Sequence, residues 1–192
     1  VAHGAFRNLL GCISRCDLDL EAPVISAYAS GLACLVEDEK DLGVTIIDMG
    51  CGGTGLASFS GGEFIWTATV PLGGAHVTSD IAHGLTTPLA SAEHMKRLYA
   101  SAIGGPADNR EMIEVPQLGE PELHAARQIP RSLLTGIVRP RLEETFELVR
   151  DYIDSSGVAS ASSRRIVLTG GASLLQGVVE LASEILEKQV RL

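Results

Sequence analysis

Three observations predict an α/β protein. Two apolar runs, Gly43-Val-Thr-Ile-Ile47 and Arg165-Ile-Val-Leu-Thr169, each lead straight into a glycine turn, and the second of these precedes a helical pattern. Apolar residues make up 45% of the chain but aromatics only 4%, so Leu, Ile, Val and Ala must fill the core. That balance is common where helices cover a sheet. Between the two runs, Leu134, Val138, Leu142, Phe146, Val149 and Ile153 recur every three or four residues, the stripe of a long buried helix.

The elements follow in order. Asn8 to Arg15 carries Leu9, Leu10 and Ile13 at helical spacing and reads as a packed helix. Pro23 to Ile25 reads as a short strand. Ala27 to Leu35, rich in small residues, suits a helix that crosses closely over another element, and Glu37 to Asp41 reads as a solvated acidic connector. Val44 to Asp48, Leu56 to Ser60 and Glu63 to Val70 form a strand meander, with a hairpin turn at Gly61-Gly62 and an end at Pro71-Leu-Gly-Gly74.

Thr78, Ser79 and Asp80 are N-cap residues for a short helix through Ile81 and Leu85. Ser91 to Ile103 is a helix with Met95, Leu98, Tyr99 and Ala102 on its apolar face and Glu93, Lys96 and Arg97 on its polar face. Gly104 to Asn109 and Gly119 to Pro121 are loops around a short strand at Met112 to Val115. Pro140 lies inside the stretch Pro130 to Ser156 and removes a backbone donor, so two helices or a kinked one should meet near Val138 and Arg139. Ser155 to Ser163 is a polar linker. The helix after the second glycine turn places Leu174, Val178, Leu181, Ala182 and Ile185 on its core face, and Gln189 to Leu192 reads as a strand.

At 192 residues the chain fits one domain or two small subdomains. A formal net charge of −9 argues against nucleic acid as a partner, so any anion site must be local. Cys12, Cys16, Cys34 and Cys51 lack metal-ligand spacing, which predicts buried, reduced thiols in a cytosolic protein. The five histidines are scattered without a zinc-binding pattern, and no run of 18 apolar residues is present. The chain starts without Met and ends on a strand, and reads as cut from something longer.

Glycine turns at strand ends carry the candidate chemistry. In Asp48 to Gly55 the glycines let backbone N–H groups approach an anion that a Cβ would hold away. Asp48 is placed to hold a metal through water, and Thr54 offers a hydroxyl to a phosphate oxygen. The same pattern also makes ordinary hairpins, and Glu93 with Lys96 also reads as a surface ion pair at i,i+3. A second turn, Gly170-Gly171-Ala172-Ser173, repeats the first module near the other end.

The DxGxG turn opening a meander, the later Glu-x-x-Lys-Arg and the terminal strand with Gly-Gly together resemble the actin-like ATPase superfamily. Within it, Asn8-Leu-Leu-Gly-Cys-Ile-Ser-Arg15, Ala29-Ser-Gly-Leu-Ala33, Asp38-Glu39 before Leu42-Gly43, Pro71-Leu-Gly-Gly74, Thr78-Ser-Asp-Ile-Ala82, Ala92-Glu93 with Lys96, and Val167-Leu-Thr-Gly-Gly-Ala172 with Gly177 are similar to the FtsA family of bacterial cell-division proteins.

This resemblance implies a ribonuclease H-like domain with a mixed sheet flanked by helices and a smaller inserted subdomain. Residues 1–42 would end domain 1, residues 43–84 and 142–192 would form subdomain 2A, and 85–141 would form 2B. It further implies ATP with Mg2+, held by Asp48 (the metal through water), Gly50, Gly52, Gly53, Thr54, Glu93, Lys96, Arg97, Gly170, Gly171, Ala172 and Ser173. The first phosphate motif of the superfamily is absent, so the fragment should bind nucleotide weakly. Gly53 stands where the superfamily usually has a hydroxyl, and Gly55 where many members have a second carboxylate, departures that bear on metal positioning and hydrolysis.

Implied partners are the C-terminal tail of FtsZ, bound through Arg127 and Arg141, and further copies in an actin-like filament. The parent protein would reach the cytoplasmic membrane face through a helix absent here. Composition adds that Arg127, Arg131, Arg139 and Arg141 fall in one stretch without Asp or Glu. The alternative within the fold is a sugar or acetate-type kinase, for which Asp48 is the one carboxylate placed as a base; a domain whose glycine turns bind nothing is the other.

Overall fold

The computed structural model describes residues 3–119, 126–157 and 165–192. Its elements are α1 (His3–Ser14), α2 (Ser26–Cys34), α3 (Glu37–Leu42), β1 (Val44–Met49), β2 (Thr54–Ser60), β3 (Glu63–Val70), α4 (Gly74–Leu85), α5 (Leu89–Tyr99), β4 (Met112–Pro116), β5 (Ala126–Pro130), α6 (Arg131–Ser155), β6 (Arg165–Thr169), a 3-10 turn (Gly171–Leu174), α7 (Val178–Leu186) and β7 (Gln189–Arg191). Five strands form one mixed sheet in the order β3-β2-β1-β6-β7, and β4 with β5 makes a separate ribbon. The meander β1-β2-β3 is antiparallel, whereas β6 joins β1 in parallel and β7 joins β6 in parallel.

Both faces of the sheet are covered, which is why β1 is an unbroken β-branched run rather than an alternating one. Val44, Ile46, Ala57, Phe59 and Val167 face α2, while Ile47, Leu56, Ile166 and Leu168 face the larger core shared with α4, α6 and α7. The small residues of α2 let it lie close to the sheet: a Cβ on Gly31 would stand 2.5 Å from the Phe59 ring, and one on Gly55 would stand 3.1 Å from that of Ala27. On the other face all six residues of the expected stripe are buried along α6. This helix is one continuous element of 25 residues across Pro140, not two.

Several local expectations are corrected. Helix α1 forms but buries no residue, and Leu9 is 55% exposed. No strand forms at Pro23 to Ile25; Ile25 is the N-cap of α2. Thr78, Ser79 and Asp80 lie within α4, whose N-terminus is Gly74, because Gly73 and Gly74 permit an earlier entry. Helix α5 ends at Tyr99, and Leu98 is 57% exposed. Leu174 is 78% exposed because it ends the 3-10 turn and lies ahead of α7, which starts at Val178. All four cysteines are free and exposed rather than buried. The strand β5 was not foreseen, and most of the expected linker, residues 158–163, lies outside the described residues.

The largest correction concerns Glu37 to Asp41, which is helix α3 rather than a solvated connector. The Gly61 and Gly62 amides of the β2-β3 hairpin donate to the Asp41 and Lys40 carbonyls at its C-terminal end. Glu39 is 7% exposed, and its two oxygens accept from Arg191 Nε and Nη2 at 2.8 and 2.6 Å, tying α3 to the last strand. The Arg191 fork holds the Glu39 carboxyl below its ordinary pKa against the opposing effect of burial. A depressed carboxylate contributes stability above its unfolded pKa and loses it as pH falls through the folded one. Glu39→Gln is therefore expected to cost about 1–3 kcal/mol at neutral pH. The deficit should shrink as pH falls below about 4–5. Thermal melts across pH test this, and equal melting temperatures at pH 7 would contradict it.

Candidate nucleotide cleft

Parallel pairing of β1 with β6 places Asp48 beside Thr169, so both glycine turns leave the same end of the sheet. The first turn closes on itself: the Gly50 amide donates to the Asp48 and Gly53 carbonyls at 3.1 and 3.0 Å. It is also zipped to the start of α4, where the Gly74 and Ala75 amides donate to the Gly50 and Cys51 carbonyls at 2.9 and 2.8 Å. At Gly73 a Cβ would lie 2.6 Å from both those carbonyls, so only glycine fits. In the second turn Gly170 takes a φ of 86°, and a Cβ there would meet Asp48 Oδ1 and the Met49 carbonyl at 2.6 Å.

Between the turns and α5 lies a cleft of about 690 Å³. It brings together Gly50, Glu93, Lys96, Arg97, Gly171 and Ala172, six of the residues singled out in the sequence. Leu98, Ala100, Leu174 and Leu175 supply an apolar wall, and Leu98 and Leu174 are exposed there. The amides of Cys51, Gly52, Gly171 and Ala172 donate to no group among the described residues. Backbone donors from two turns, an apolar wall and a carboxylate suit a ligand with an anionic end and a flat apolar end.

Glu93 and Lys96 form the foreseen i,i+3 ion pair at 2.6 Å, but within the cleft. Lys96 Nζ donates to Glu93 Oε2, to Thr78 Oγ1 at 2.8 Å and to the Gly74 carbonyl at 3.0 Å. All three of its hydrogens are used, so Lys96 fastens α5 to the start of α4. Partial burial acts to raise the Glu93 pKa, but the hydrogen bonds from Lys96 and Thr78 outweigh it and hold the group below its ordinary value. Glu93 is thus a carboxylate at neutral pH.

Other singled-out residues support the turns from behind. Asp48 Oδ2 accepts from Ser30 Oγ at 2.8 Å. Thr54 is fully buried and its hydroxyl donates to the Leu72 carbonyl at 2.8 Å, which corrects the expectation that it faces a ligand. Ser173 is also buried, and its hydroxyl donates to the Gly170 carbonyl. Gly52, Gly53 and Gly170 shape the turns without lining the cleft. No cluster of three metal-ligating side chains occurs among the described residues. The sequence reading missed Gly74, whose pairing with Gly50 depends on the meander returning, and the apolar wall, whose leucines had been assigned to the core.

The arginine-rich stretch is not one patch. Arg141 pairs with Asp80 through Nε and Nη2 at 2.5 and 3.1 Å and with Glu144 at 2.5 Å, linking α6 to α4. Arg139 pairs with Glu143 and lies 3.7 Å from Glu184. Arg131 turns inward to Glu111 and the cleft, while Arg127 is exposed on β5 opposite Val115. Glu143 and Glu144 follow on α6 itself, just past the arginine-rich stretch, whereas Asp80, Glu111 and Glu184 come from elsewhere in the chain, where the local sequence could not show them.

An actin-like ATPase fold is the class these features define: a mixed five-stranded sheet, two glycine turns at one end and a cleft between them. The structure of MreB5 of Spiroplasma citri bound to ADP superposes with a TM-score of 0.80 at 18% identity, over 100% of this chain and 60% of that one. The chain belongs to the FtsA family, whose model, Cell division protein FtsA, matches residues 45–192. It is 46% identical over 192 residues to the Cell division protein FtsA of Agrobacterium fabrum and 33% identical over 193 residues to that of Escherichia coli. It covers 100% and 97% of itself in these matches, but only 43% and 45% of those relatives.

The two neighbouring glycines of the second turn should respond differently to a methyl group. Gly170→Ala introduces left-handed strain and a clash with β1, and is expected to lower the melting temperature by about 2–4 °C for each kcal/mol lost. Gly171→Ala meets nothing within 4 Å and should leave it unchanged. Equal melting temperatures for the two variants would show that Gly170 is not held against β1 as described.

Proposed function

We propose that this chain is the part of an FtsA-family protein that closes one side of an ATP site and carries the surface for FtsZ. Residues 43–84 and 142–192 form subdomain 2A, residues 85–141 form 2B, and residues 1–42 end domain 1. The convergence of Gly50, Glu93, Lys96, Arg97, Gly171 and Ala172 from three separate stretches on one cleft carries this reading.

ATP lies with its phosphates toward the free amides of Cys51, Gly52, Gly171 and Ala172, and with adenine against Leu98 and Leu174. Glu93 accepts from the ribose, Arg97 lies over the base, and Lys96 holds Glu93 in place. Asp48, at the end of β1 behind the first turn, would hold Mg2+ through water. The amides and Glu93 bind and orient; the metal, when bound, neutralises phosphate charge.

The intact protein polymerises on the cytoplasmic face of the membrane and links FtsZ to it, with Arg127 on the β4-β5 ribbon meeting the acidic FtsZ tail. Arg141 supports that surface through Asp80. The FtsA reading is preferred to a kinase because Asp48, the candidate base, accepts from Ser30 and is not among the residues lining the cleft.

Calorimetry on the full-length parent tests the site. ATP should bind the wild type, and Gly171→Val should weaken it at least about tenfold, equivalent to 1.4 kcal/mol. Undiminished affinity would remove Gly171 from the site. For the partner surface, Arg127→Glu should abolish binding of an FtsZ tail peptide and leave the melting temperature unchanged. Arg141→Glu should lower the melting temperature, because it sets a carboxylate against Asp80 and Glu144. Wild-type peptide affinity in Arg127→Glu would place docking elsewhere.

A further inference from the structure

Arg131 stands where the β4-β5 ribbon meets the cleft. It follows β5 directly, four residues after Arg127, and opens α6. On the ribbon side its amide donates to the Glu111 carbonyl at 2.8 Å, its Nη1 donates to Glu111 Oε2 at 3.1 Å, and Asp108 Oδ1 lies 3.7 Å away. On the cleft side its Nε donates to the Tyr99 carbonyl at 2.8 Å, at the end of α5, and its Nη2 donates to Gln176 Oε1 at 2.6 Å.

Gln176 lines the cleft, and its carbonyl accepts from the Ala102 amide at 2.8 Å. The side chain of Arg131 is only 17% exposed and that of Asp108 only 8%, whereas its partners Glu111, at 46%, and Gln176 lie open to solvent. One planar cation thus grips the last carbonyl of α5, Gln176 between the second glycine turn and α7, and the segment entering β4. A lysine ammonium, with three donors on one atom, cannot span these separate acceptors.

We infer that Arg131 is a positioning residue that couples the two binding surfaces: a displacement of β5 by a bound partner moves the Tyr99 and Gln176 side of the cleft with it. This rests on the reading of the cleft as a nucleotide site and of the ribbon as a partner surface. By linkage the coupling is reciprocal, so the partner changes nucleotide affinity by the factor by which nucleotide changes partner affinity.

The test uses the full-length parent, ATP and an FtsZ C-terminal tail peptide, with each affinity measured in the absence and presence of saturating amounts of the other ligand. In wild type both affinities should change by the same factor, about fivefold or more. In Arg131→Lys that factor should fall to less than about twofold while each ligand binds alone nearly as in wild type. Glu111→Ala, on an exposed side chain of the ribbon, cuts only that side and should also reduce the factor; it decides the matter if Arg131→Lys does not fold. Independent binding in wild type, or a factor unchanged in the folded variants, would overturn the coupling and leave both sites standing. Failure of the wild type to bind either ligand would overturn the underlying reading and the coupling with it.

Discussion

Everything at the candidate site depends on the parallel pairing of β1 with β6. Residues more than a hundred positions apart in sequence become neighbours in register, Asp48 beside Thr169, and their turns must then share one end of the sheet. The contact between the turns is so close that no side chain fits: Gly170 lies against the Asp48 carboxylate and the Met49 backbone. The first turn in turn fixes the start of α4 through two backbone hydrogen bonds, and α4 fixes α5 through Thr78, Glu93 and Lys96. The cleft is therefore a consequence of sheet register, carried outward by successive hydrogen bonds. A parallel strand pair needs a long crossover, and α6 supplies it while burying its apolar stripe on the same sheet face.

Cations in this acidic chain serve mainly as internal ties. Lys96 holds α5 to α4, Arg141 holds α6 to α4, Arg131 holds the ribbon to the cleft, and Arg191 holds α3 to β7. Each meets carboxylates or carbonyls from elements distant in sequence. Isolated surface pairs contribute little, but a bidentate fork onto a buried carboxylate, as from the half-exposed Arg191 to Glu39, fixes the relative placement of whole elements. A ligand anion is left mainly with backbone amides and with Arg97, which is consistent with a local site on a molecule of net charge −9.

Much of the fold was legible because local pattern and burial agree. The β-branched run of β1, the glycine hairpin, and the α6 stripe all have a single favourable burial that their spacing announces. The glycine turns were legible as well, since glycine before a Cβ-intolerant contact has few other uses. Pairings between elements were not. The acidic run Glu37 to Asp41 looked solvated because its partner, Arg191, lies at the far end of the chain, and Arg141 looked free because Asp80 is on another helix. Thr54 and Ser173 carry the hydroxyls that a phosphate loop invites, yet both turn inward, Ser173 to the Gly170 carbonyl of its own turn and Thr54 to the Leu72 carbonyl beyond β3.

The central claim is that two glycine turns, brought together by one strand pair, receive one anionic ligand. Amide hydrogen exchange of the full-length parent with and without ATP and Mg2+ tests it most directly, because exchange reports on backbone donors rather than on side chains. The account predicts that nucleotide slows exchange in both turns together, at Cys51 and Gly52 and at Gly171 and Ala172, while β3 and α1 exchange as before. Protection confined to one turn, or to neither, would contradict it.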